Sequence, residues 1–425
     1  MISAPLTFGQ LAVWRDIESM PLHSRQDSNA VLTWPIADGC SLRQVRQALN
    51  GLAIRHEALR TVYDCSGGDP PVQVVHDARS VSPLEFSVPG DVVEVDGLLE
   101  SVEQEITALD SQRFDLTAEY SWRPVVLASR GKPRAVVVVT NNMGADQWAG
   151  EVLQADFARL SLGGDPGPAS TPRQVVAWQR SEQWRARTEA AVQYWDGLLA
   201  VLQADAPQPA YPNRPEVAVK AELLSRPAGK ATRELASRLR ASAPSIVLAA
   251  YALATSAVLG IPRVLVNVMS ANRFWPVTQE LICPMSQWVP LLVEPRPREP
   301  FIDLAVRTYW LAVRAYRHGC YDPDLFAQHW SLDPRSGEGG WPGVFFNYIP
   351  GDPAEDAEDE TATTSRPVFA WQTPMVRTGP SFYLRAREGA ELSLTTRAMW
   401  DGFPAAHLEQ IMRSMHDILV TAAGS

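Results

Sequence analysis

The stretch VVVVTNNMGADQW, residues 136–148, constrains the fold more than any other part of this sequence. Its run of valines predicts a buried β-strand, and the apolar spacing of the residues that follow predicts an amphipathic helix. The turn between them carries the amides of Asn141 and Asn142 and the carboxylate of Asp146. A strand–turn–helix places such side chains at the end of a sheet, beside the free N–H groups of a helix. From the residues alone, Asp146 is more readily a helix N-cap than a catalytic acid.

The chain has 425 residues, which is too many for one ordinary core, so two domains are expected. Helix and strand patterns are mixed in both halves, as in the amphipathic helix that starts at residue 42 and runs toward a strand at 61–63. This mixture predicts two α/β or α+β lobes. The Gly- and Pro-rich stretch LGGDPGPASTP indicates a boundary near residue 168, which gives domains at 1–168 and 169–425.

Two segments of the second half are expected to be surface loops. SGEGGWPG, residues 336–343, is rich in glycine but lacks the lysine and the preceding strand of a phosphate-binding loop. DPAEDAEDETATTS, residues 352–365, is acidic and has no apolar period.

The net charge of −10 excludes several classes of function. Non-specific nucleic-acid binding needs a basic surface, and so does docking on an anionic membrane. An acidic protein partner remains open, because a local basic patch can exist within a negative total. No apolar stretch approaches the roughly 18 residues of a membrane span, and the N-terminus lacks the pattern of a signal peptide.

The cysteines and histidines indicate no metal site or catalytic pair. The sequence contains no CxxC, and no metal-ligand spacing links its cysteines to its histidines, so free thiols in a cytoplasmic protein are expected for Cys40, Cys65, Cys283 and Cys320. His318 beside Cys320 could form a reactive pair, but a histidine at a helix end is commoner. His56 lies among charges and is more readily structural. No phosphate loop, HExxH or GxSxG motif occurs.

In order along the chain, several segments resemble the motifs of condensation domains from nonribosomal peptide synthetases. RHEALRTVY resembles the family's Arg-His-Glu-x-Leu-Arg-Thr-x-Phe, and TNNMGADQW stands where the family has HHxxxDG. The further matching segments are LTFGQLAVW (6–14), VVAWQRSEQW (175–184), SANRFWP (270–276), LICPMSQWVPLL (281–292) and HGCYDPDLF (318–326).

This resemblance implies a fold and a set of partners. The fold would be two chloramphenicol-acetyltransferase-like lobes forming a V-shaped pseudo-dimer with a central tunnel. The N-terminal lobe would carry the degenerate motif, and the C-terminal lobe the floor-loop and latch-like segments. Acyl or peptidyl carrier proteins would deliver their cargo on phosphopantetheine arms, and the chain would need no cofactor or metal of its own. The chain is expected to be free-standing and to meet its carriers in trans, without nucleic acid or membrane.

The resemblance also implies roles for single residues. Asp146 would pair with Arg273 across the contact region of the two lobes, and Arg60 would be a structural anchor. Asn141 and Asn142 replace the two histidines of the motif, so we take them, with Asp146, as the candidate catalytic residues. The expected lining of the tunnel is Gln147, which replaces the motif's glycine, Trp148, Gln287 and Trp288.

Loss of both histidines leaves three functions open. Asn cannot act as a general base near neutral pH, but its amide can orient an amine by hydrogen bonding. The chain could therefore still join a carrier-bound acyl or aminoacyl group to an amine or an alcohol. It could instead be catalytically inactive and recruit a tailoring enzyme, such as a cytochrome P450, to a carrier-bound peptide. In the third hypothesis the tunnel catalyses another reaction, such as cyclisation, epimerisation or elimination.

Overall fold

A computed structural model of the protein describes residues 1–88, 94–203, 217–329, 343–351, 366–376, 380, 382–398 and 404–424. The two predicted surface loops, 336–343 and 352–365, lie outside the described residues apart from Gly343.

Several helices begin where a polar side chain caps the first turn. Thr7, Ser41 and Thr171 each accept a hydrogen bond from the backbone of a glutamine three residues later, whose side chain bonds back to the cap. The α-helices are α1 Phe8–Ser19, α2 Leu42–Arg55, α3 Val95–Ser101, α4 Glu103–Asp110, α5 Gln147–Ser161, α6 Pro172–Gln179, α7 Glu182–Gln203, α8 Arg226–Leu239, α9 Ala243–Leu259, α10 Pro276–Gln279, α11 Phe301–Tyr316, α12 Pro323–His329 and α13 Ala405–Gly424, and 3₁₀ turns occur at Leu22–Ser28 and Glu57–Arg60.

The strands are rich in β-branched and aromatic residues, as expected for pleated, half-buried surfaces. They are β1 Ile2–Pro5, β2 Asn29–Pro35, β3 Thr61–Asp64, β4 Val72–Val75, β5 Leu84–Val88, β6 Trp122–Ser129, β7 Lys132–Asn141, β8 Val217–Ser225, β9 Val264–Ser270, β10 Gln287–Val293, β11 Val344–Ile349, β12 Val368–Val376, β13 Phe382–Arg387 and β14 Leu392–Ala398.

The first compact unit comprises residues 1–188, 271–287 and the described part of 320–337. It contains a four-stranded sheet in the order β2-β7-β6-β5 and a three-stranded sheet in the order β1-β4-β3. β7 pairs antiparallel with both β2 and β6, so the valine run is a central, buried strand, as the sequence predicts. α2 and α5 lie side by side, and their buried residues share one hydrophobic cluster with those of β6 and β7.

The second compact unit comprises residues 189–270 and 288–319 and the described part of 338–425. Its seven-stranded sheet has the order β10-β9-β11-β13-β14-β8-β12. β9, β11 and β13 run parallel, and β14, β8 and β12 continue the sheet antiparallel. α9 is the central helix of this unit, and it packs against α8, α11 and α13.

This division differs from the predicted boundary at residue 168. Residues 169–188 pack with the first unit: Gln179, at the end of α6, accepts a hydrogen bond from the backbone of Phe8 at 3.0 Å. The segment 271–287 also belongs to the first unit, because its buried core residues Leu281, Cys283 and Met285 share a cluster with Val175 and Trp184. A composition break therefore does not mark the limit between the two units.

Two continuous stretches of the sequence, residues 95–110 and 172–203, are each divided into two helices. Val102 separates α3 from α4, because its φ and ψ of −129° and 19° are not helical while its side chain is buried. Ser181 separates α6 from α7, and its carbonyl accepts the amides of Trp184 and Arg185 at 3.1 and 3.2 Å, which starts a new helix.

Within the described ranges, no single helix has both the length and the apolar character needed to cross a membrane, although α8 and α9, which meet at a 112° bend, pass together on length and composition. Over the same ranges, no cluster of three or more His, Cys, Asp or Glu side chains is placed to hold a metal ion.

Candidate functional site

The amide of Asn141 is fully engaged in building the turn that follows β7. Its nitrogen donates to the Ser28 hydroxyl at 2.8 Å and to the Asn29 side-chain oxygen at 3.1 Å. Its own oxygen accepts from the backbone N–H of Met143 at 3.0 Å, which is the local bond of an Asx turn. Asn141 is also buried, so this candidate catalytic residue holds the turn together.

Asn142 has the opposite environment. Its backbone N–H donates to the Ser28 carbonyl at 2.9 Å, which fixes the main chain. Its side chain is exposed and makes no hydrogen bond to any other described residue. Of the two asparagines predicted to replace the motif's histidines, Asn142 is therefore the one whose amide is available to another molecule.

Asp146 caps α5, as its position in the sequence predicts, and it also ties the turn to a distant segment. One carboxylate oxygen accepts the backbone N–H of Ala149 at 2.9 Å and the Arg273 guanidinium at 2.8 Å. The other accepts the backbone N–H of Met285 at 2.9 Å and the Ser286 hydroxyl at 3.1 Å. Four donors fill the acceptor sites of a carboxylate, so Asp146 has no capacity left for proton transfer.

Arg273 organises the segment that Asp146 contacts. Its guanidinium donates to the carbonyls of Thr278, Leu281 and Cys283, each at 2.7 Å. Both side chains of the Asp146–Arg273 pair are nearly buried, with 10% and 2% of their surface exposed. Removing one partner of such a pair costs about 3–5 kcal/mol, because the other charge is left buried.

The predicted pairing of Asp146 with Arg273 is present, and it joins two segments of the same compact unit. Both residues lie in the first compact unit, because the segment 271–287 packs with residues 1–188. The pair thus stabilises the inside of one unit. Arg60 is an anchor in the same unit, as expected: it donates to the Ala53 carbonyl in α2 at 3.1 Å and to the His76 carbonyl after β4 at 2.6 Å.

A buried hydroxyl that we did not single out from the sequence also holds the turn. Tyr63 donates to the carbonyl of Met143 at 2.8 Å, and the Gln10 side chain donates to the Tyr63 oxygen at 3.4 Å. Burial raises the pKa of Tyr63, so its hydroxyl keeps its proton and remains a donor. The sequence feature that could have indicated this role is that Tyr63 stands where the family's Arg-His-Glu-x-Leu-Arg-Thr-x-Phe motif has Phe.

Two glycines permit close approach of the segments around the turn. A Cβ on Gly144 would lie 2.0 Å from the Ser121 hydroxyl, and one on Gly9 would lie 2.1 Å from the Pro284 carbonyl oxygen. α1 therefore packs directly on the backbone of the segment that Arg273 and Asp146 hold. Segments that are far apart in the sequence pack together here because Gly9 and Gly144 have no side chain to keep them apart.

The four residues expected to line a tunnel have different environments. Gln147 is exposed on the first turn of α5, whereas Trp148 is 42% exposed and donates to the Gln279 carbonyl at 2.8 Å. Gln287 is buried and donates to the Tyr321 carbonyl at 2.9 Å. Trp288 is buried in the second unit, edge-on to the ring of Phe345 at 5.0 Å. Their predicted role as a lining stays a prediction.

His56 is structural rather than available for chemistry. Its Nε2 lies 2.8 Å from an Asp156 oxygen that also accepts from Arg55 at 2.8 Å. Burial lowers the pKa of His56 and outweighs the opposite effect of Asp156. Although burial opposes it, hydrogen bonding from His56 and Arg55 lowers the pKa of Asp156. This cluster joins the end of α2 to α5.

The cysteines are unpaired thiols, as the sequence predicts. Burial raises the pKa of both Cys283 and Cys320 to about 12, so neither is a thiolate at neutral pH. His318 stacks on Tyr194 with ring centroids 4.6 Å apart, and its pKa is lowered by burial and by the charges of Arg314 and Arg317. The Cys320 thiol accepts a hydrogen bond from the Gln179 side chain at 3.6 Å, so both groups have other partners and no reactive pair is indicated.

Comparison of the whole chain with known proteins identifies its family. The family model described as Condensation domain matches residues 4–423, nearly the whole chain. The chain belongs to the condensation-domain family. The resemblance of its motifs is therefore confirmed at the level of the family, and the assignment of TNNMGADQW to the place of the family's histidine motif stays a prediction.

One relative and two solved structures illustrate the similarity. The chain is 30% identical to the beauvericin nonribosomal cyclodepsipeptide synthetase of Beauveria bassiana over 266 residues, which is 56% of this chain and 8% of the synthetase. It matches the fold of a condensation domain that mediates chain release from the enacyloxin polyketide synthase, with a TM-score of 0.79, 17% identity and coverage of 99% and 83% of the two chains. It also matches the X-domain structure in complex with OxyB from teicoplanin biosynthesis, with a TM-score of 0.69, 17% identity and coverage of 99% and 93%.

These comparisons define the fold and the biosynthetic setting. The mixed α/β architecture is that of condensation domains, with the chloramphenicol-acetyltransferase-like fold expected from the sequence. Because the matched region is less than a tenth of the synthetase's length, the activity of that whole enzyme does not carry over to this chain. Condensation domains work with carrier proteins in nonribosomal peptide and polyketide biosynthesis, which places this chain among natural-product proteins.

Proposed function

We propose that this chain transfers an acyl or aminoacyl group from a carrier protein's phosphopantetheine thioester to an amine or an alcohol, with Asn142 orienting the nucleophile. The observation that supports it is the contrast between the two motif asparagines. Asn141, Asp146 and Arg273 are saturated with internal contacts, whereas the amide of Asn142 is exposed on a rigidly held main chain. The turn is held from within, and of its two asparagines it exposes only Asn142.

The chemistry requires no base from the protein. The nucleophile forms a bond to the thioester carbonyl carbon, the C–S bond breaks, and the proton of the nucleophile passes to water or to the departing thiolate. General base catalysis contributes about 10²–10⁴-fold, whereas proximity and orientation can contribute more. An Asn in the place of the histidine therefore slows the reaction, but proximity and orientation can still accelerate it. The carrier's phosphopantetheine is the substrate handle, and the chain supplies no cofactor.

The test follows the carrier by intact mass spectrometry. A carrier loaded with a donor is incubated with the protein and with candidate amines and alcohols, and loss of the donor mass is compared with appearance of the product. We expect transfer above background, and Asn142→Ala is expected to slow it about tenfold, the value of one oriented hydrogen bond. The matched control is Gln112→Ala, which removes another exposed amide of the same unit. No product with any donor and nucleophile would contradict the proposal.

A second candidate is recruitment of a tailoring enzyme. What favours it is that neither motif asparagine nor the saturated Asp146 can move a proton, while the structural pair with Arg273 is complete. A related fold, the X-domain, has been solved in complex with OxyB. If the purified protein binds a tailoring enzyme encoded beside it and gives no transfer product, recruitment replaces transfer as the function.

A further inference from the structure

The seven-stranded sheet of the second unit has one apolar face and one polar face. The apolar face packs into the core beneath α9 and α13 and includes Leu223, Leu384 and Leu394. The opposite, polar face holds every charged residue of the described strands of this sheet, because alternate residues of a strand share a face. These residues are Lys220, Glu222, Arg385, Arg387 and Arg397.

The strand registers bring these charges together. Arg397 in β14 pairs directly with Lys220 in β8. Thr395 lies two residues earlier in β14 and pairs with Arg385 on one side and Glu222 on the other. Side chains at such paired positions are neighbours on the same face. The polar face therefore collects positive charge in a chain whose net charge is −10.

The carboxylate of this face already has partners, whereas two of its guanidinium groups are available. Glu222 accepts hydrogen bonds from the Gln372 amide at 3.0 Å and from the Ser393 hydroxyl at 3.2 Å. Arg385 and Arg387 are exposed, and over the described ranges neither is paired with a carboxylate. Positive charge that the unit does not neutralise itself favours an anionic ligand.

Aromatic rings border the cations on this face. The Arg397 guanidinium lies 4.9 Å from the centre of the Tyr383 ring. Trp288 is edge-on to the rings of Tyr383 and Phe345, at centroid distances of 6.0 and 5.0 Å. Phe345 and Tyr383 are paired residues of β11 and β13, so this aromatic group belongs to the same face as the charges. A ligand that combines an anionic group with an apolar part matches this arrangement.

We infer that the polar face of this sheet binds the carboxylate of the nucleophile through Arg385 and Arg387. A guanidinium presents paired N–H groups that match the geometry of a carboxylate. The donor's carboxyl carbon is held in a thioester, whereas a nucleophile that is an amino acid or a hydroxy acid keeps a free carboxylate. The choice of the nucleophile as ligand rests on the proposed function; its anionic and apolar character rests on the sheet itself.

The test measures binding without a carrier and without transfer. The probes are phenylalanine, leucine and the corresponding 2-hydroxy acids, each compared with its own carboxamide in a ligand-observed NMR titration. The carboxamide keeps the apolar part and the nucleophilic group and removes only the negative charge. We expect the wild type to bind at least one of the acids about tenfold more tightly than its carboxamide. The double variant Arg385→Gln/Arg387→Gln should lose this preference, and each single variant should lose part of it.

A matched control separates recognition from a general change of charge. Arg298→Gln removes an exposed arginine of the same unit that lies outside the sheet, and it should keep the wild-type preference. All variants should retain the wild-type circular dichroism spectrum. The inference is overturned if no acid binds the wild type more tightly than its carboxamide, with undetectable binding of both counted as equal. It is also overturned if the double variant keeps the preference.

Further outcomes separate this inference from the proposed reaction. If the acids bind through the two arginines but no group is transferred to them, the carboxylate site stands and the proposed function fails. If transfer occurs and the double variant uses acid and carboxamide in the wild-type ratio, the carboxylate site alone is wrong. Free phosphopantetheine is titrated as a second anion. If its affinity, and not that of the acids, falls in the double variant, the face binds the phosphate of the carrier's arm and the assignment to the nucleophile is overturned.

Discussion

At the scale of single residues, the turn after β7 is held by side chains that do not belong to the motif. Ser28, Asn29 and Tyr63 supply the contacts that a strand–turn–helix cannot supply for itself. The Tyr63 hydroxyl is of special interest, because the resembling motif has Phe at this position and thus no donor.

We predict that Tyr63→Phe loosens this turn without unfolding the protein. The substitution keeps the buried ring and removes the hydroxyl that donates to Met143, which costs about 1–2 kcal/mol. Hydrogen exchange followed by mass spectrometry should show faster exchange in peptides covering residues 141–146. Tyr120→Phe, which removes a hydroxyl 3.3 Å from His76, is the control and should leave those peptides unchanged. Equal exchange in the wild type and Tyr63→Phe would show that the hydroxyl does not hold the turn.

The sequence alone predicts part of this arrangement. Asp146 as a helix cap follows from local chemistry, and its pairing with Arg273 follows from the resemblance. The hydrogen bonds of the Asn141 side chain cannot be predicted in this way. Its partners Ser28 and Asn29 are more than a hundred residues away, and no periodicity links them to Asn141. The same holds for the contact between Tyr63 and Met143, which depends on how two sheets are placed.

At the scale of elements, α1 and the segment that contains Pro284 approach each other more closely than any side chain at residue 9 permits. We predict that Gly9→Ala destabilises the protein by about 1–3 kcal/mol, because the new methyl meets a backbone oxygen that cannot rotate away. Gly197→Ala is a matched control in α7, where a Cβ meets nothing within 4 Å. It should stabilise the protein by about 0.5–1 kcal/mol through helix propensity. Urea unfolding measures both, and equal shifts would contradict the close packing of α1.

The contact between α2 and α5 should make stability depend on pH. The pKa of His56 is lowered in the folded protein, so below the unfolded value of 6.5 the unfolded chain binds a proton that the folded chain does not. The free energy of unfolding should therefore fall as pH decreases from 6.5 toward the folded pKa, and be fully restored above 6.5.

We predict that His56→Gln reduces the slope of stability against pH between about 7.5 and 5.5, measured by urea unfolding. Other titrating groups remain in the variant, so the difference from the wild type isolates His56. The control is His23→Gln, at an exposed histidine, which should keep the wild-type slope. A slope unchanged in His56→Gln would mean that the buried imidazole does not titrate with unfolding.

At the scale of the whole molecule, the order of motifs predicted the family and the fold, whereas composition misplaced the limit between the two units. The LGGDPGPASTP stretch suggested a boundary at 168, but the indole of Trp184 packs with Leu281 and Cys283 in the first unit. A polar, glycine-rich stretch indicates that the chain turns at the surface. It does not indicate which later segments pack into the same core as the residues before it.

We propose that the turn promotes transfer by orienting a nucleophile through Asn142 without a base. Its most direct test is the single-turnover rate of transfer from a loaded carrier, measured from pH 5.5 to 8.5 for the wild type, Asn142→Ala and Asn142→His. Ratios between variants cancel the ionisation of the nucleophile itself. We predict that the ratio of Asn142→Ala to wild type is about 0.1 at every pH, and that the ratio of Asn142→His to wild type rises as pH passes through about 6.5, where an imidazole becomes a base. A ratio of Asn142→Ala to wild type that equals one, or that itself changes with pH, would contradict the claim.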